Sequence, residues 1–182
     1  MRELLNIVYP IHVANEGKDI GYGSGFITSD KYLRTAWHVL VDPNRTLKSR
    51  IINLNGTSFD ISPNTHNYID YDQFEYKHEL PENIAKQFKK IDIANSKPKI
   101  GCAVHIAGIR NNQKPISIIA TIIESKYEKF LIKVPTEADY HGFSGGLVAN
   151  TNGEAVGIIN GQLGEKYSNY IFCQFITPDK YI

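Results

Sequence analysis

Two stretches decide the fold of this 182-residue chain: Thr35-Ala36-Trp37-His38-Val39 and Gly142-Phe143-Ser144-Gly145-Gly146. The first places a histidine in a short apolar segment, and the second places a serine among glycines. A serine attacks an acyl carbon when a neighbouring base removes its proton, and histidine is the commonest such base. Glycines tolerate positive φ and leave backbone N–H groups free to face a developing oxyanion. The pair therefore predicts a serine hydrolase.

The order of these groups along the chain narrows the class of hydrolase. Gly-x-Ser-x-Gly is also the nucleophile elbow of α/β-hydrolases, in which the histidine follows the serine. Here all six histidines precede Ser144, which excludes that class. The subtilisin order would need Asp19 or Asp30 as the acid, together with a doubly wound α/β pattern that is not visible. The order His, Asp, Ser remains.

Four segments resemble, in the right order, those of trypsin-like (chymotrypsin-fold) serine peptidases. Residues 35–38 resemble the family's Thr-Ala-x-His, and residues 142–146 resemble its Gly-x-Ser-Gly-Gly. Gly23-Ser24-Gly25-Phe26-Ile27 resembles the strand before the histidine, and Ala155-Val156-Gly157-Ile158-Ile159 resembles the strand after the serine. The resemblance spans nearly the whole chain. It implies an all-β fold of two six-stranded antiparallel β-barrels, with the active site in the cleft between them.

Apolar runs and turn signals agree with a β-rich chain. Asn55-Gly56 and Asn152-Gly153 each separate two strand-like runs, which is a strong hairpin signal. A single helical pattern stands out, with Ile84, Phe88 and Ile91 at i, i+4 and i+7. The resemblance divides the chain into an N-terminal barrel at 1–80, an inter-barrel linker at 81–99 and a C-terminal barrel at 100–182.

The resemblance also assigns catalytic roles. His38 is the expected general base, Ser144 the nucleophile, and the N–H groups of Gly142 and Ser144 the oxyanion hole. The acid that orients His38 is open among three aspartates. We favour Asp72, which leaves room for a linker before the next barrel, over its neighbour Asp70. Asp92 lies in an Asp-Ile-Ala sequence that matches the family, but only residues 95–100 then separate it from the next strand-like segment.

The substrate pocket is expected from the residues just before Gly142 and from a segment after the nucleophile. By resemblance its candidate residues are Ala138, Asp139, His141, Asn160, Gly161 and Gln162. Ala138 falls where trypsin has an acid, which argues against simple cleavage after Arg or Lys. Phe143 falls where many secreted members carry an aspartate that pairs with a newly cleaved N-terminus. Since phenylalanine cannot form that ion pair, we expect a constitutively shaped enzyme or one controlled by a partner.

Composition and charge exclude several function classes. The chain has 20 basic and 19 acidic residues and a net charge of +1, so nothing suggests nucleic acid or an anionic membrane. No secretory signal is visible, and Cys102 and Cys173 are typical of reduced core residues. We therefore expect a cytoplasmic protein, or a secreted one whose leader has been trimmed. No metal or organic cofactor is implied, since no Cys/His spacing suggests zinc.

These observations predict a serine endopeptidase that works through a His-Asp-Ser triad and an acyl-enzyme intermediate. Its expected partners are a polypeptide substrate and, as a further candidate, a regulatory protein. The alternative is a protease-fold protein with little or no catalytic activity that binds peptides in its cleft.

Overall fold

The chain was analysed as a computed structural model. The structure describes residues 3–16, 18–42, 44, 47–61, 67–70, 75–110, 114–136, 139–164 and 167–176.

The first half of the chain forms one mostly antiparallel sheet. Its strands lie side by side in the order β5-β4-β1-β2-β3-β7-β6, and β8 pairs in parallel with the end of β2. The eight strands are β1 (Val8–Asn15), β2 (Lys18–Thr28), β3 (Tyr32–Ala36), β4 (Ile51–Leu54), β5 (Thr57–Asp60), β6 (Asn67–Asp70), β7 (Glu75–Glu79) and β8 (Lys90–Ile91).

The second half forms a closed antiparallel barrel of six strands, in the order β10-β11-β14-β13-β12-β9. Its strands are β9 (Ala103–Ile109), β10 (Pro115–Lys126), β11 (Lys129–Lys133), β12 (Leu147–Ala149), β13 (Ala155–Leu163) and β14 (Tyr167–Phe175). The predicted all-β fold is confirmed, and the second barrel has the expected six strands. The first half differs in detail, because eight strands form its sheet. In the described residues, β6 pairs with β7 at one edge of this sheet, and the two-residue strand β8 pairs with the end of β2.

Helices are short and lie between strands. The structure describes a 3₁₀ turn at Leu4–Asn6, a single helical turn α1 (Trp37–Leu40) and another, α2 (Glu82–Ala85). The helical pattern predicted through Ile91 is therefore only partly correct, since α2 ends at Ala85 and Ile91 belongs to β8. Phe88 and Ile91 are buried, but tertiary packing and strand pairing bury them rather than one face of a helix.

Three apolar clusters stabilise the molecule. One lies within the first half of the chain, and a second lies within the barrel. The third joins the two halves, with Val8 and Phe26 from the sheet packing with Ile109, Leu147 and residues around them from the barrel. Burial of such apolar surface contributes about 25 cal/mol per Å². The cluster therefore fixes how the two walls of the cleft face each other.

Two further predictions meet the structure here. Cys173 is buried in the barrel core as expected, but Cys102 is exposed because it precedes β9 in a turn outside the core. Both thiols are free. Within the described ranges, the structure contains no helix with the length and apolar character needed to cross a membrane.

Candidate active site

His38 lies on the helical turn α1, directly after strand β3. The turn follows Ala36, which is still extended, and is capped by Val41, whose N–H donates to the Trp37 carbonyl at 2.9 Å. Val39 and Leu40 bury their side chains in the first apolar cluster. This anchoring leaves the half-buried imidazole of His38 at the cleft.

Ser144 lies in a tight loop before β12, and glycine is required on both sides of it. Gly142 and Gly145 have φ of 92° and 83°, in the left-handed region that side chains disfavour. A Cβ on Gly145 would also collide with the Ser24 carbonyl oxygen and the Thr35 hydroxyl. The second glycine of the loop therefore packs directly against the segment that leads to His38.

Ser24, on β2, links the serine loop to the first sheet and to the barrel. Its N–H donates to the Ser144 carbonyl at 2.8 Å. Its fully buried hydroxyl donates to the Gly142 carbonyl at 2.8 Å and accepts from the Ile109 N–H at 2.8 Å. The Ser24 carbonyl in turn accepts from the Thr35 hydroxyl at 2.7 Å. One buried serine thus sets the position of the loop relative to both halves.

The N–H groups of the serine loop fall into two sets. Those of Phe143, Gly145 and Gly146 donate to backbone carbonyls at 3.0, 2.7 and 2.7 Å. The N–H groups of Gly142 and Ser144 have no acceptor within the described part of the chain. These two amides are therefore free to donate to a group that enters the cleft.

His38 and Ser144 line one cavity of about 420 Å³ between the two halves. The Ser144 hydroxyl donates to the Asn160 carbonyl at 3.3 Å, longer than the usual 2.7–2.8 Å for such bonds. Asn160 is itself buried. Among the described residues, neither its side-chain Oδ1 nor its Nδ2 has a hydrogen-bond partner. The cavity thus has a weakly held hydroxyl and an unsatisfied amide near the imidazole.

Burial and a neighbouring cation both favour the neutral form of His38. Burial lowers the pKa of His38 below its ordinary value, and the positive charge of Lys48 lowers it further. The Lys48 ammonium donates to the His38 carbonyl at 2.7 Å. A neutral imidazole at neutral pH has an unprotonated nitrogen, which is the form that can accept a proton.

The three candidate acids fall in different places. Asp72 lies outside the described residues. Asp70 ends β6 in register with Glu75, which is in turn paired with Ala36, two residues before His38. Asp70 and Glu75, the described residues on either side of Asp72, therefore lie in the same row of the sheet as Ala36.

Asp92 lies elsewhere, directly after β8, whose last residue pairs with Thr28 where β2 turns into β3. Its side chain is exposed, and its carbonyl accepts the N–H of Ala155 at 2.8 Å. Four residue steps along β3, about 13 Å, separate that end of the strand from the end that leads to His38. The strand register does not bring Asp92 to the imidazole.

The predicted pocket residues converge on the cavity, apart from Ala138, which lies outside the described residues. The lining includes Asp139, His141, Asn160, Gly161 and Gln162. Two of them also hold the loop before Gly142. The Asp139 carboxylate accepts the His141 N–H at 2.9 Å, and the side-chain Oε1 of Gln162 accepts the N–H of Tyr140 at 3.3 Å.

Phe143 anchors the serine loop in the barrel core. Its side chain is 1% exposed, and its ring meets that of Tyr140 edge-on at 5.3 Å. The ring lies directly over Gly108, where a Cβ would approach its Cγ to 2.7 Å. The residue that breaks the family pattern in sequence thus holds the loop by apolar packing.

The cleft continues from the cavity along β13. A neighbouring cavity of about 430 Å³ shares His38 and residues 160–162 with the first and extends to Trp37, Leu163 and Phe172. A larger cavity of about 720 Å³, lined mainly by apolar surface, lies at the β10–β11 hairpin and contains neither His38 nor Ser144. No three His, Cys, Asp or Glu side chains in the described ranges are grouped as metal ligands would be.

No protein-family model and no curated protein matches the sequence. Solved structures do match. The active form of the Rv3671c protease from M. tuberculosis has a TM-score of 0.73 at 17% identity, over 96% of this chain and 78% of that chain. Its inactive form gives 0.69 at 17% identity, over 96% and 85%. A serine endoprotease from Yersinia pestis gives 0.73 at 23% identity, over 96% of this chain and 60% of that chain.

The chain has the trypsin-like, chymotrypsin-type serine protease fold. Within this fold, three residues of the cavity region were not assigned a role from sequence. In the sequence, Ser24 is only one residue of the segment that resembles the strand before the histidine. Its hydroxyl's hydrogen-bond partners lie 85 and 118 residues away along the chain. Tyr22 and Lys48 line the cavity from the first half, and no sequence signal marks either of them.

Proposed function

We propose that this protein is a serine endopeptidase, with Ser144 as nucleophile and His38 as general base. The observation that carries the proposal is the shared cavity, which brings together an imidazole kept neutral and a hydroxyl on a glycine-rich loop. The two unpaired amides of that loop, those of Gly142 and Ser144, support an oxyanion hole. A peptide-binding scaffold would have no chemical need of all three features together.

The proposed reaction is an acyl transfer in two halves. His38 removes the Ser144 hydroxyl proton as Oγ attacks the peptide carbonyl, and the carbonyl oxygen gains negative charge. The N–H groups of Gly142 and Ser144 donate to that oxygen, each contributing about 3 kcal/mol in the transition state. His38 then protonates the leaving amine, and water enters by the same route to release the acyl group.

The hydroxyl must turn for this reaction to begin. Its bond to the Asn160 carbonyl is long, and rotation about one side-chain torsion redirects Oγ. Catalytic hydrogen bonds in substrate-free sites are often poorly aligned and tighten when substrate binds. We therefore propose that substrate occupying the strand edge at 160–162 displaces the hydroxyl toward His38.

We propose Asp72 as the acid that orients His38. Support comes from Asp70 and Glu75, which flank its segment and lie in register with Ala36. Asp92 instead follows β8, which pairs with β2 near the opposite end of β3. A carboxylate beside the imidazole would stabilise the imidazolium formed during the reaction, which burial otherwise disfavours. Asp70 is the alternative at the same end of the sheet.

Loop shape in the proposed enzyme depends on Phe143 rather than on an ion pair. The buried ring fixes the residue between the two proposed oxyanion donors. We accordingly propose that the oxyanion hole is formed without cleavage of an activating N-terminal segment.

The test is covalent labelling with a fluorophosphonate probe, followed by peptide hydrolysis. Labelling that disappears in Ser144→Ala and in His38→Ala supports the enzyme. A correctly folded wild-type protein that takes no label contradicts the proposal and favours the peptide-binding alternative.

The acid is tested separately with Asp72→Asn, Asp70→Asn and Asp92→Asn. We expect kcat to fall by about 10³- to 10⁴-fold in Asp72→Asn, because the imidazole loses its orienting partner. Asp92→Asn is the matched control and should stay near the wild-type rate. A near wild-type rate for Asp72→Asn would reject this acid.

A further inference from the structure

Lys48 places a positive charge in the wall of the cleft, beside His38. The side chain is half-buried, and its ammonium donates to the His38 carbonyl at 2.7 Å. Gly21 lies beside the ammonium: a Cβ on Gly21 would lie 3.3 Å from Nζ and 2.9 Å from the Val39 carbonyl oxygen. The cation is therefore held at a defined position.

The charge of Lys48 is poorly compensated. In the described part of the chain it forms no ion pair, and its hydrogen bond is to a neutral carbonyl. Burial lowers its pKa, while the negative charge of Asp42 acts in the opposite direction. Asp139, across the cavity, uses its carboxylate to accept the N–H of His141. A cation partly removed from water and without a direct anionic partner favours an anion that enters the cleft.

The position of Lys48 relative to the nucleophile decides which part of a substrate it would meet. Residues 160–162 of β13 line both the catalytic cavity and the neighbouring cavity. The lining of the neighbouring cavity includes neither Lys48 nor Ser144. Tyr22, on β2, and Lys48, in the connection between α1 and β4, line the cavity from the first half of the chain, and the Tyr22 ring meets that of His141 edge-on at 5.2 Å. If the acyl part of the substrate lies along 160–162, the leaving amine side faces Lys48.

We propose that Lys48 selects substrates that carry a carboxylate on the leaving-group side of the scissile bond, within the first two residues after it. This inference rests on the proposed peptidase function. The carboxylate has two sources, an Asp or Glu side chain or the C-terminus of a short leaving peptide. Both present the same anion to the ammonium.

The test compares matched fluorogenic peptides. One pair carries Asp or Asn at the first or second position after the cleaved bond, with an amidated C-terminus. A second pair has no acidic side chain and ends in a free acid or an amide two residues after the bond. We expect kcat/KM to favour the anionic member by about tenfold, the size typical of a hydrogen-bonded charge pair at a partly exposed site. The pair that shows the preference identifies the source of the carboxylate.

Variants at residue 48 decide whether this cation is responsible. Lys48→Met should bring the preference close to one, Lys48→Glu should reverse it, and Lys48→Arg should retain it. Lys99→Met removes the same charge from an exposed position outside the cavities, and its preference should equal that of the wild type. An unchanged preference in Lys48→Met overturns the proposal, as does equal hydrolysis of both members of both pairs by the wild type.

Two further measurements separate this role from a structural one. Lys48→Met should move the acid limb of the kcat/KM profile to higher pH, because it removes a positive charge that lowers the pKa of His38. The other titratable groups near the cavity, Asp42, Asp139 and His141, are unchanged in this variant. Binding of the same peptides to Ser144→Ala, with and without Lys48→Met, requires no hydrolysis. About tenfold tighter binding of the anionic peptide that is lost without Lys48 supports the anion-binding role of Lys48 even if labelling fails, in which case the peptidase function alone is overturned. Equal binding overturns that role even if labelling succeeds.

Discussion

Ser24→Ala tests how much the serine loop depends on one buried hydroxyl. The variant keeps the backbone bond from residue 24 to the Ser144 carbonyl but removes Oγ. The Gly142 carbonyl and the Ile109 N–H, both buried, then lose their partner. Each unsatisfied buried group costs about 1–3 kcal/mol, so we expect a loss of about 3 kcal/mol in the free energy of unfolding. For a chain of this size that lowers Tm by about 6–12 °C.

Ser24→Ala should also lower kcat. Freeing the Gly142 carbonyl loosens the residue whose N–H is a proposed oxyanion donor, and a lost donor of this kind costs about 10²- to 10³-fold in kcat. Because the donor is displaced rather than removed, we expect a loss of about tenfold or more in kcat with a smaller change in KM.

The assay pairs thermal unfolding with single-turnover hydrolysis. Ser58→Ala is the matched control, because its exposed hydroxyl accepts a single hydrogen bond from the Asn53 amide at 3.2 Å. Its effect should stay within about 0.5 kcal/mol. The assigned role of Ser24 is refuted if Ser24→Ala lowers Tm no more than Ser58→Ala does. It is also refuted if Tm falls by the expected amount while kcat is unchanged.

Three further predictions concern the loop anchor, a buried ion pair and pH. Phe143→Ala should lower the free energy of unfolding in guanidinium by about 3–5 kcal/mol and slow fluorophosphonate labelling, and Phe143→Leu should have smaller effects on both. Equal effects of the two variants would contradict the packing argument. Glu75→Gln should cost about 2 kcal/mol in urea unfolding, because the Arg34 guanidinium, 1% exposed, loses the negative charge at 2.7 Å and keeps that of Asp30 at 2.8 Å. A loss under about 0.5 kcal/mol would contradict this. Burial lowers the pKa of both His38 and His78 below 6.5, so the unfolded state binds more protons and the free energy of unfolding should fall as pH drops below 6.5. His78→Gln should reduce the slope of unfolding free energy against pH, and an unchanged slope would contradict this prediction.

Local turn chemistry was readable from sequence. Asn55 and Gly56 have φ of 50° and 87°, and Leu54 pairs with Thr57 across the turn, as the Asn-Gly signal predicts. Gly153 likewise has a φ of 82° in the connection between β12 and β13. These features depend on backbone preferences of one or two residues, so a single sequence is enough to find them.

Features that depend on distant partners were not readable. The spacing of Ile84, Phe88 and Ile91 suggested one helix, yet the last of these is buried by pairing with β2. Lys48 lies beside His38 through a hydrogen bond to the His38 carbonyl, next to Gly21 of β2. Sequence position predicts neither contact, since each joins residues from separate elements of the fold.

The apolar anchor under the serine loop has a thermal consequence. A loop held by an ion pair would loosen as salt rises and would come apart where either charge titrates. The packed ring of Phe143 carries no charge, so ionic strength and pH leave that hold intact. Apolar burial instead weakens on cooling, because the water-driven part of its free energy shrinks. Salt and mild acid should therefore leave this packing contact of the serine loop intact, whereas cooling should weaken it.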